Sequence, residues 1–198
     1  MATADTTLPT RQAQRLFTAA DLQELPINLP SGPIDYELDN GKLVPLMAPP
    51  GDIHSSVQSN LVFLLKQLGE IPNHGKVRCE VGIVLWRDPD RVVGADVAFI
   101  ARKSLPIRRT SEGYLETIPE LVVEIRSKND LLAELSRKVE DYLKAGVQIA
   151  IVAEPHSKTV TIHTPDSQPV VLRQTDSLQL PESLIPGFSV PVDQLFCD

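Results

Sequence analysis

Between residues 77 and 127 the apolar positions fall into three runs of period two. Val77, Cys79, Val81, Ile83 and Leu85 alternate strictly with Arg78, Glu80 and Gly82 in the first. Val93, Ala95, Val97 and Phe99 alternate with Gly94, Asp96, Ala98 and Ile100 in the second, and Leu121, Val123 and Ile125 with Val122, Glu124 and Arg126 in the third. Successive side chains of a strand point to opposite faces, so the runs predict three β-strands, the last two over 92–101 and 121–127. Cys79 then falls on the apolar face of its strand.

Helical spacing frames them. Val57, Leu61, Leu64, Leu65 and Leu68 form one stripe, with His54 a turn earlier on the same side. Pro49-Pro50-Gly51 breaks the chain ahead of it, Asp52 is placed to cap it, and Gly69 and Pro72 end it. Over 129–145 a second stripe carries Leu131, Leu135, Val139 and Tyr142, with Gly146 as its terminating glycine. Asn40-Gly41 between the runs 35–38 and 42–46 is a strong hairpin signal. A short helix is expected over 19–25. Further strands are expected over 148–153, 159–163 and 170–173, the last two as a hairpin, and a strand-like tail follows Pro186-Gly187.

Lys138 breaks the second stripe. An advance of about 100° per residue places it between Leu135 and Tyr142, while Arg137 and Lys144 point away. A lysine ammonium is seldom buried without a partner, so acids should face it across the packing interface. Asp96 and Glu124 are available, each set in an otherwise apolar strand. If those strands are neighbours and the two residues level, the carboxylates converge and repel unless a cation intervenes. Oxygen ligands of this kind suit Mg²⁺ or Mn²⁺. Glu80 is a third, accessory acid. In phosphodiester hydrolysis such a cation polarises the phosphate and acidifies an attacking water, beside which a lysine neutralises developing charge. The bland rival is a set of paired structural charges, with His54 a satisfied core histidine and Tyr142 a packing ring. Arg126 is expected to partner the acid cluster.

With 198 residues the chain is long enough for one domain with its own core, expected over 17–198 after a flexible segment 1–16. No apolar run reaches membrane-spanning length, and no signal-peptide core stands at the N-terminus. Two cysteines, far apart, make no disulfide framework, and the cytoplasm is the expected compartment. The four histidines lack zinc-type pairing. A net charge of −7 argues against indiscriminate binding of nucleic acid. Basic residues nevertheless gather locally: Arg102, Lys103, Arg108 and Arg109 between the second and third strands, then Arg126, Lys128 and Arg137.

The order strand–Asp96, strand–Glu124, helix–Lys138 resembles the PD-(D/E)XK nuclease superfamily, and within it the Uma-two family of restriction-endonuclease-like proteins. The resemblance spans residues 17–196. It rests on Tyr36-Glu37-Leu38 with Asn40-Gly41, His54 opening a helix, Ala95-Asp96-Val97-Ala98, Leu121-Val122-Val123-Glu124-Ile125-Arg126-Ser127, the Lys138–Tyr142 helix with Ala145-Gly146-Val147, and Ile185-Pro186-Gly187-Phe188. Ala95 and Lys128 stand where many members have proline, and Arg126 occupies the superfamily's usual lysine position. The resemblance implies an α/β restriction-endonuclease-like fold, a mixed central sheet flanked by helices, and a homodimer. It implies a Mg²⁺-dependent endonuclease acting on DNA, with Asp96, Glu124 and Glu80 as metal ligands and Lys138 as charge stabiliser. Arg108, Arg109, Arg126 and Lys128 would contact nucleic acid, with His54 and Tyr142 as accessories. The alternatives are a catalytically inactive nuclease-fold module that binds nucleic acid or a protein partner, and a structural or regulatory protein of a mobile element.

Overall fold

A computed structural model describes residues 15–30, 32–46, 51–107, 113–128 and 130–197. The first element is α1 (Ala19–Gln23), whose cap residue Thr18 and Asp21 bond each other's backbone reciprocally. The short strands β1 (Asn28–Leu29) and β2 (Gly32–Pro33) form a ribbon of their own. Next comes the expected hairpin, β3 (Asp35–Asp39) and β4 (Lys42–Leu46), turned by Asn40 and Gly41 at φ 49° and 77°. Helix α2 (Asp52–Leu65) continues into a wide turn over Lys66–Glu70. Gly51 rather than Asp52 is its cap residue and offers no side-chain bond, so Asp52 contributes only as an acid in the first turn.

The central strands are β5 (Gly75–Trp86), β6 (Arg91–Ala101) and β7 (Leu121–Ile125). Helix α3 (Leu132–Ala145) leads to β8 (Ile149–Glu154), β9 (Thr159–His163) and β10 (Val170–Leu172). Two short strands unmarked or only hinted at in the sequence pattern, β11 (Ser177–Gln179) and β12 (Ser189–Pro191), pair with each other. The main sheet runs β10-β9-β8-β7-β6-β3-β4, with β5 along the other edge of β6. Among the described strands of this sheet only β7 and β8 pair in parallel, because α3 crosses over between them; the remaining strand pairs are antiparallel.

Both faces of this sheet are covered. One side packs Val57, Leu61 and Leu65 of α2 against Val97, Phe99, Val123 and Ile151, together with residues from 178 onward. The other packs Val139 and Tyr142 of α3 against Val93, Ala95, Ala98 and Val122. Helix α3 starts later than its stripe predicts: Leu131 and Leu132 are 62% and 61% exposed, and the first residue it buries against the sheet is Val139. The segment 1–16 lies outside the described residues apart from Arg15 and Leu16, of which Arg15 pairs with Asp21.

Strict alternation fails at one place. Val97 and Phe99 face α2, yet Val93 and Ala95 face α3, so β6 changes faces around Asp96. Its partner does likewise: Val77 faces α2, whereas Ile83 and Leu85 face α3. Glu80 sits between them in the left-handed region at φ 45°, a conformation that costs a non-glycine residue about 1–3 kcal/mol. Cys79, expected on the apolar face, is exposed; among the described residues β5 pairs there only with β6, and Leu115 reaches its outer edge only beside Ile83.

Gly75 opens β5 where a Cβ would run into the backbone carbonyl of Ile100 and the buried ring of Phe99. Backbone cannot swing aside as a side chain can, so Gly75→Ala is expected to destabilise by about 1–3 kcal/mol. Urea unfolding measures it, and an unchanged midpoint would contradict this packing.

Candidate active site

The site is built at a break in the sheet. Val92 pairs with Val84 of β5 on one side and Leu38 of β3 on the other, while Val97 pairs with Cys79 of β5 and Val123 of β7. Strands β3 and β7 therefore lie end to end along the same edge of β6. Between them Gly94 has no strand partner on that edge, and buried peptide groups must be satisfied somehow. Side chains do it. Glu37 Oε1 accepts the Gly94 N–H at 2.9 Å, and the Tyr142 hydroxyl lies 3.2 Å from the Gly94 carbonyl.

The register of Val97 opposite Val123 puts Asp96 level with Glu124 at this break. Asp96 Oδ2 accepts the backbone N–H of Ile125 at 2.6 Å and lies 3.2 Å from His54 Nε2. Its second carboxylate oxygen accepts no hydrogen bond among the described residues. Glu124 is 6% exposed; Tyr142 donates to its Oε1 at 2.6 Å and Lys138 to its Oε2 at 3.0 Å. The Lys138 ammonium also lies 3.4 Å from Glu37 Oε1, and Glu37 lies 3.7 Å from Arg91, which pairs with Asp141 at 2.8 Å. Charges thus alternate in a continuous row, Glu124–Lys138–Glu37–Arg91–Asp141, under α3.

Electrostatics sort these groups. Burial pushes the Glu124 carboxyl up to about 7, with Asp96 adding to the rise, although Lys138 and the Tyr142 bond oppose it. Burial also works against the Lys138 charge, but the Glu124 and Glu37 carboxylates outweigh it and hold the ammonium above the ordinary lysine value. Lys138 is therefore a fixed cation and no proton acceptor. Tyr142, fully buried beside Glu124, is pushed well above its ordinary value and stays protonated. For His54 the Asp96 bond prevails over burial and raises the imidazole.

Of the residues singled out in the sequence, the fold brings together Asp96, Glu124, Lys138, His54 and Tyr142. Glu80 is exposed at the rim, where Gln58 donates both to its Oε1 and to the Asp96 carbonyl, the latter at 2.9 Å. His54 is no satisfied core histidine: its Nδ1 is buried without a partner among the described residues. Tyr142 does more than pack a ring. Arg126 does not partner the acid cluster; it bonds Glu154, the residue level with it on the strand line of β8. Arg108 and Arg109 lie outside the described residues. Glu37, Arg91, Asp141 and Gln58 escaped the sequence reading. Glu37 alone carried a signal, the acid in Tyr36-Glu37-Leu38, but Asp35 and Asp39 on the same parity gave it a wet face.

Among the described residues no three of His, Cys, Asp and Glu stand close enough to cage a metal ion. A divalent cation nonetheless suits the donors present. Two level carboxylates, one with a free oxygen and one forced up to about 7, are short of positive charge. Asp96 and Glu124 would hold such an ion, with water in the remaining positions, and Glu80 is tied to the Asp96 backbone through Gln58.

The Uma2 family model, described as "Putative restriction endonuclease", matches residues 19–193. The chain belongs to the Uma2 family. Among solved structures, one described as "a putative nuclease belonging to DUF820", from Anabaena variabilis ATCC 29413, is similar with a TM-score of 0.72 at 20% sequence identity. The match covers 91% of this chain and 97% of that one. It establishes a shared nuclease-like α/β fold, a central sheet flanked by helices. No curated protein matches the sequence. No helix among the described residues is long and apolar enough to cross a membrane. In this Uma2 protein the acid–acid–lysine order along the chain becomes a spatial cluster because β6 and β7 are adjacent and α3 crosses directly over them.

Proposed function

We propose that the protein is a Mg²⁺-dependent endonuclease that hydrolyses DNA phosphodiester bonds. The observation that carries this reading is the pairing of Asp96 and Glu124 on adjacent strands with the Lys138 ammonium 3.0 Å from Glu124. Mg²⁺ or Mn²⁺ bound by the two carboxylates would supply Lewis acidity toward a phosphate oxygen and lower the pKa of a bound water.

The chain's own residues then do the rest. Ile125 N–H and His54 hold one oxygen of Asp96, and the other, without a hydrogen bond among the described residues, is free to take a ligand. Tyr142 and Lys138 hold Glu124 from two sides, so neither carboxylate has to reorganise when substrate arrives. Lys138, permanently charged, stabilises negative charge that builds on the phosphate. Glu80, at the rim, is placed to orient water, and Gln58 steadies it. Uma2 membership and the nuclease-like fold support the same reading.

Calorimetric titration tests the ligands. Mn²⁺ is expected to bind one site, and Asp96→Asn or Glu124→Gln to abolish it; undiminished binding by both variants would sink the assignment. Because Glu124 ionises near 7 in the metal-free protein, affinity should weaken as pH falls below about 7, where the cation must displace a proton.

A further inference from the structure

Beyond the acidic cluster, at the carboxyl ends of the parallel pair β7 and β8, a cavity of about 320 Å³ opens to solvent. Arg126, Ser127, Lys128, Glu154, His156 and Ser157 line it. The carboxyl ends of parallel strands are where open α/β sheets place their ligands, since the connecting loops diverge there. Two cations face a single carboxylate, and two hydroxyls and an imidazole add further hydrogen-bonding groups. Arg126 spends one guanidinium nitrogen on Glu154 and leaves its Nε buried with no partner, a state that only His54 Nδ1 shares among the described buried side chains. Unpaired buried donors are costly, and an acceptor oxygen relieves them.

The placement matters as much as the chemistry. Arg126 follows Glu124 by two residues on one strand line, so the cavity begins about 6–7 Å beyond the carboxylates on the α3 side of the sheet. We propose that this cavity is a phosphate subsite, which seats a backbone phosphate of bound nucleic acid while a neighbouring phosphodiester lies at Asp96 and Glu124. The proposal rests on the nuclease reading for its substrate and adds a register to it. Lys128, His156 and Ser157 are exposed, so they meet the ligand without disturbing the core. Arg126 is half held by Glu154 and supplies the fixed wall.

Anisotropy of a labelled DNA duplex with the full chain in EDTA, over a range of salt, tests it. Each phosphate contact adds close to one unit to the slope of log affinity against log salt. Lys128→Gln should weaken binding several-fold and lower that slope by about one, and Lys128→Arg should restore both. Inorganic phosphate should shift the His156 ring resonances saturably in the parent and not in Lys128→Gln. An unchanged slope in Lys128→Gln while the duplex still binds would overturn the subsite, as would a phosphate shift with no change in slope. If the parent binds duplex with the expected slope change yet never nicks DNA with Mg²⁺, the nuclease reading fails and the subsite stands. If no duplex binds in EDTA, the subsite fails, and nicking with Mg²⁺ decides the nuclease reading separately.

Discussion

Lys138→Met is expected to lower DNA nicking by about a hundredfold or more, the scale of losing one preorganised charge stabiliser. Methionine keeps the length and apolar packing of the stem and deletes only the ammonium. Its effect on stability should depend on pH, and the row of charges under α3 gives the sign. Without Lys138, Glu124 and Glu37 face each other with no cation between them, so the Glu124 carboxyl should rise above its present value of about 7. A carboxyl whose folded pKa lies above its unfolded value binds more protons folded than unfolded, so its stability contribution is lost as pH rises between the two. The variant should match the parent near the unfolded carboxyl value and fall behind as pH climbs toward 8. The ceiling is about 3–5 kcal/mol, the cost of stripping one partner from a buried pair. Thermal melts at several pH values read it. A variant that melts earlier at every pH and keeps its activity per folded molecule would make Lys138 structural only.

The second large effect separates chemistry from architecture at Asp96. Asp96→Ala removes the acceptor of the Ile125 N–H, a bond of 2.6 Å at the strand break, and leaves His54 with no partner at either ring nitrogen. A loss of about 1–3 kcal/mol is expected for the orphaned backbone donor alone, together with complete loss of nicking. Asp96→Asn keeps an oxygen where Oδ2 stands, which can accept from both the Ile125 N–H and His54 Nε2–H, so it should fold nearly as well as the parent and be equally inactive. Urea unfolding beside nicking assays measures both. Equal destabilisation by the two variants would show that the negative charge, rather than the acceptor, holds β6 to β7.

How much of this was legible in the chain depends on which residues are considered. Lys138 could be read because a helix has one period and a cation inside its apolar stripe demands an acid. Asp96 and Glu124 could be read because an acid inside an apolar strand is conspicuous, whereas their level register came only with the fold, which sets Val97 opposite Val123. Glu37 was hidden by the very rule that exposed the others. On β3 it shares parity with Asp35 and Asp39, and it becomes buried only because β3 docks against β6 and α3 then covers that face. The exchange of faces around Glu80 and Asp96 was hidden too, since nothing in Cys79-Glu80-Val81 resembles the glycine or asparagine that usually marks a left-handed residue. Arg126 misled for a related reason. Its spacing from Glu124 is right for the cluster, but the pairing of β7 with β8 places Glu154 beside it first. Gln58 carries no charge and sits on a helix, so only the fold reveals that it ties Glu80 to the Asp96 backbone.

The most direct measurement is the nicking of supercoiled plasmid by the full chain with Mg²⁺, with Mn²⁺ and with EDTA, beside Asp96→Asn purified identically. The account predicts conversion of supercoiled to open-circular and linear DNA with either cation, none in EDTA, and none by the variant under any condition. Equal conversion by the parent and Asp96→Asn, or a parent that leaves the plasmid supercoiled with both cations, would contradict it.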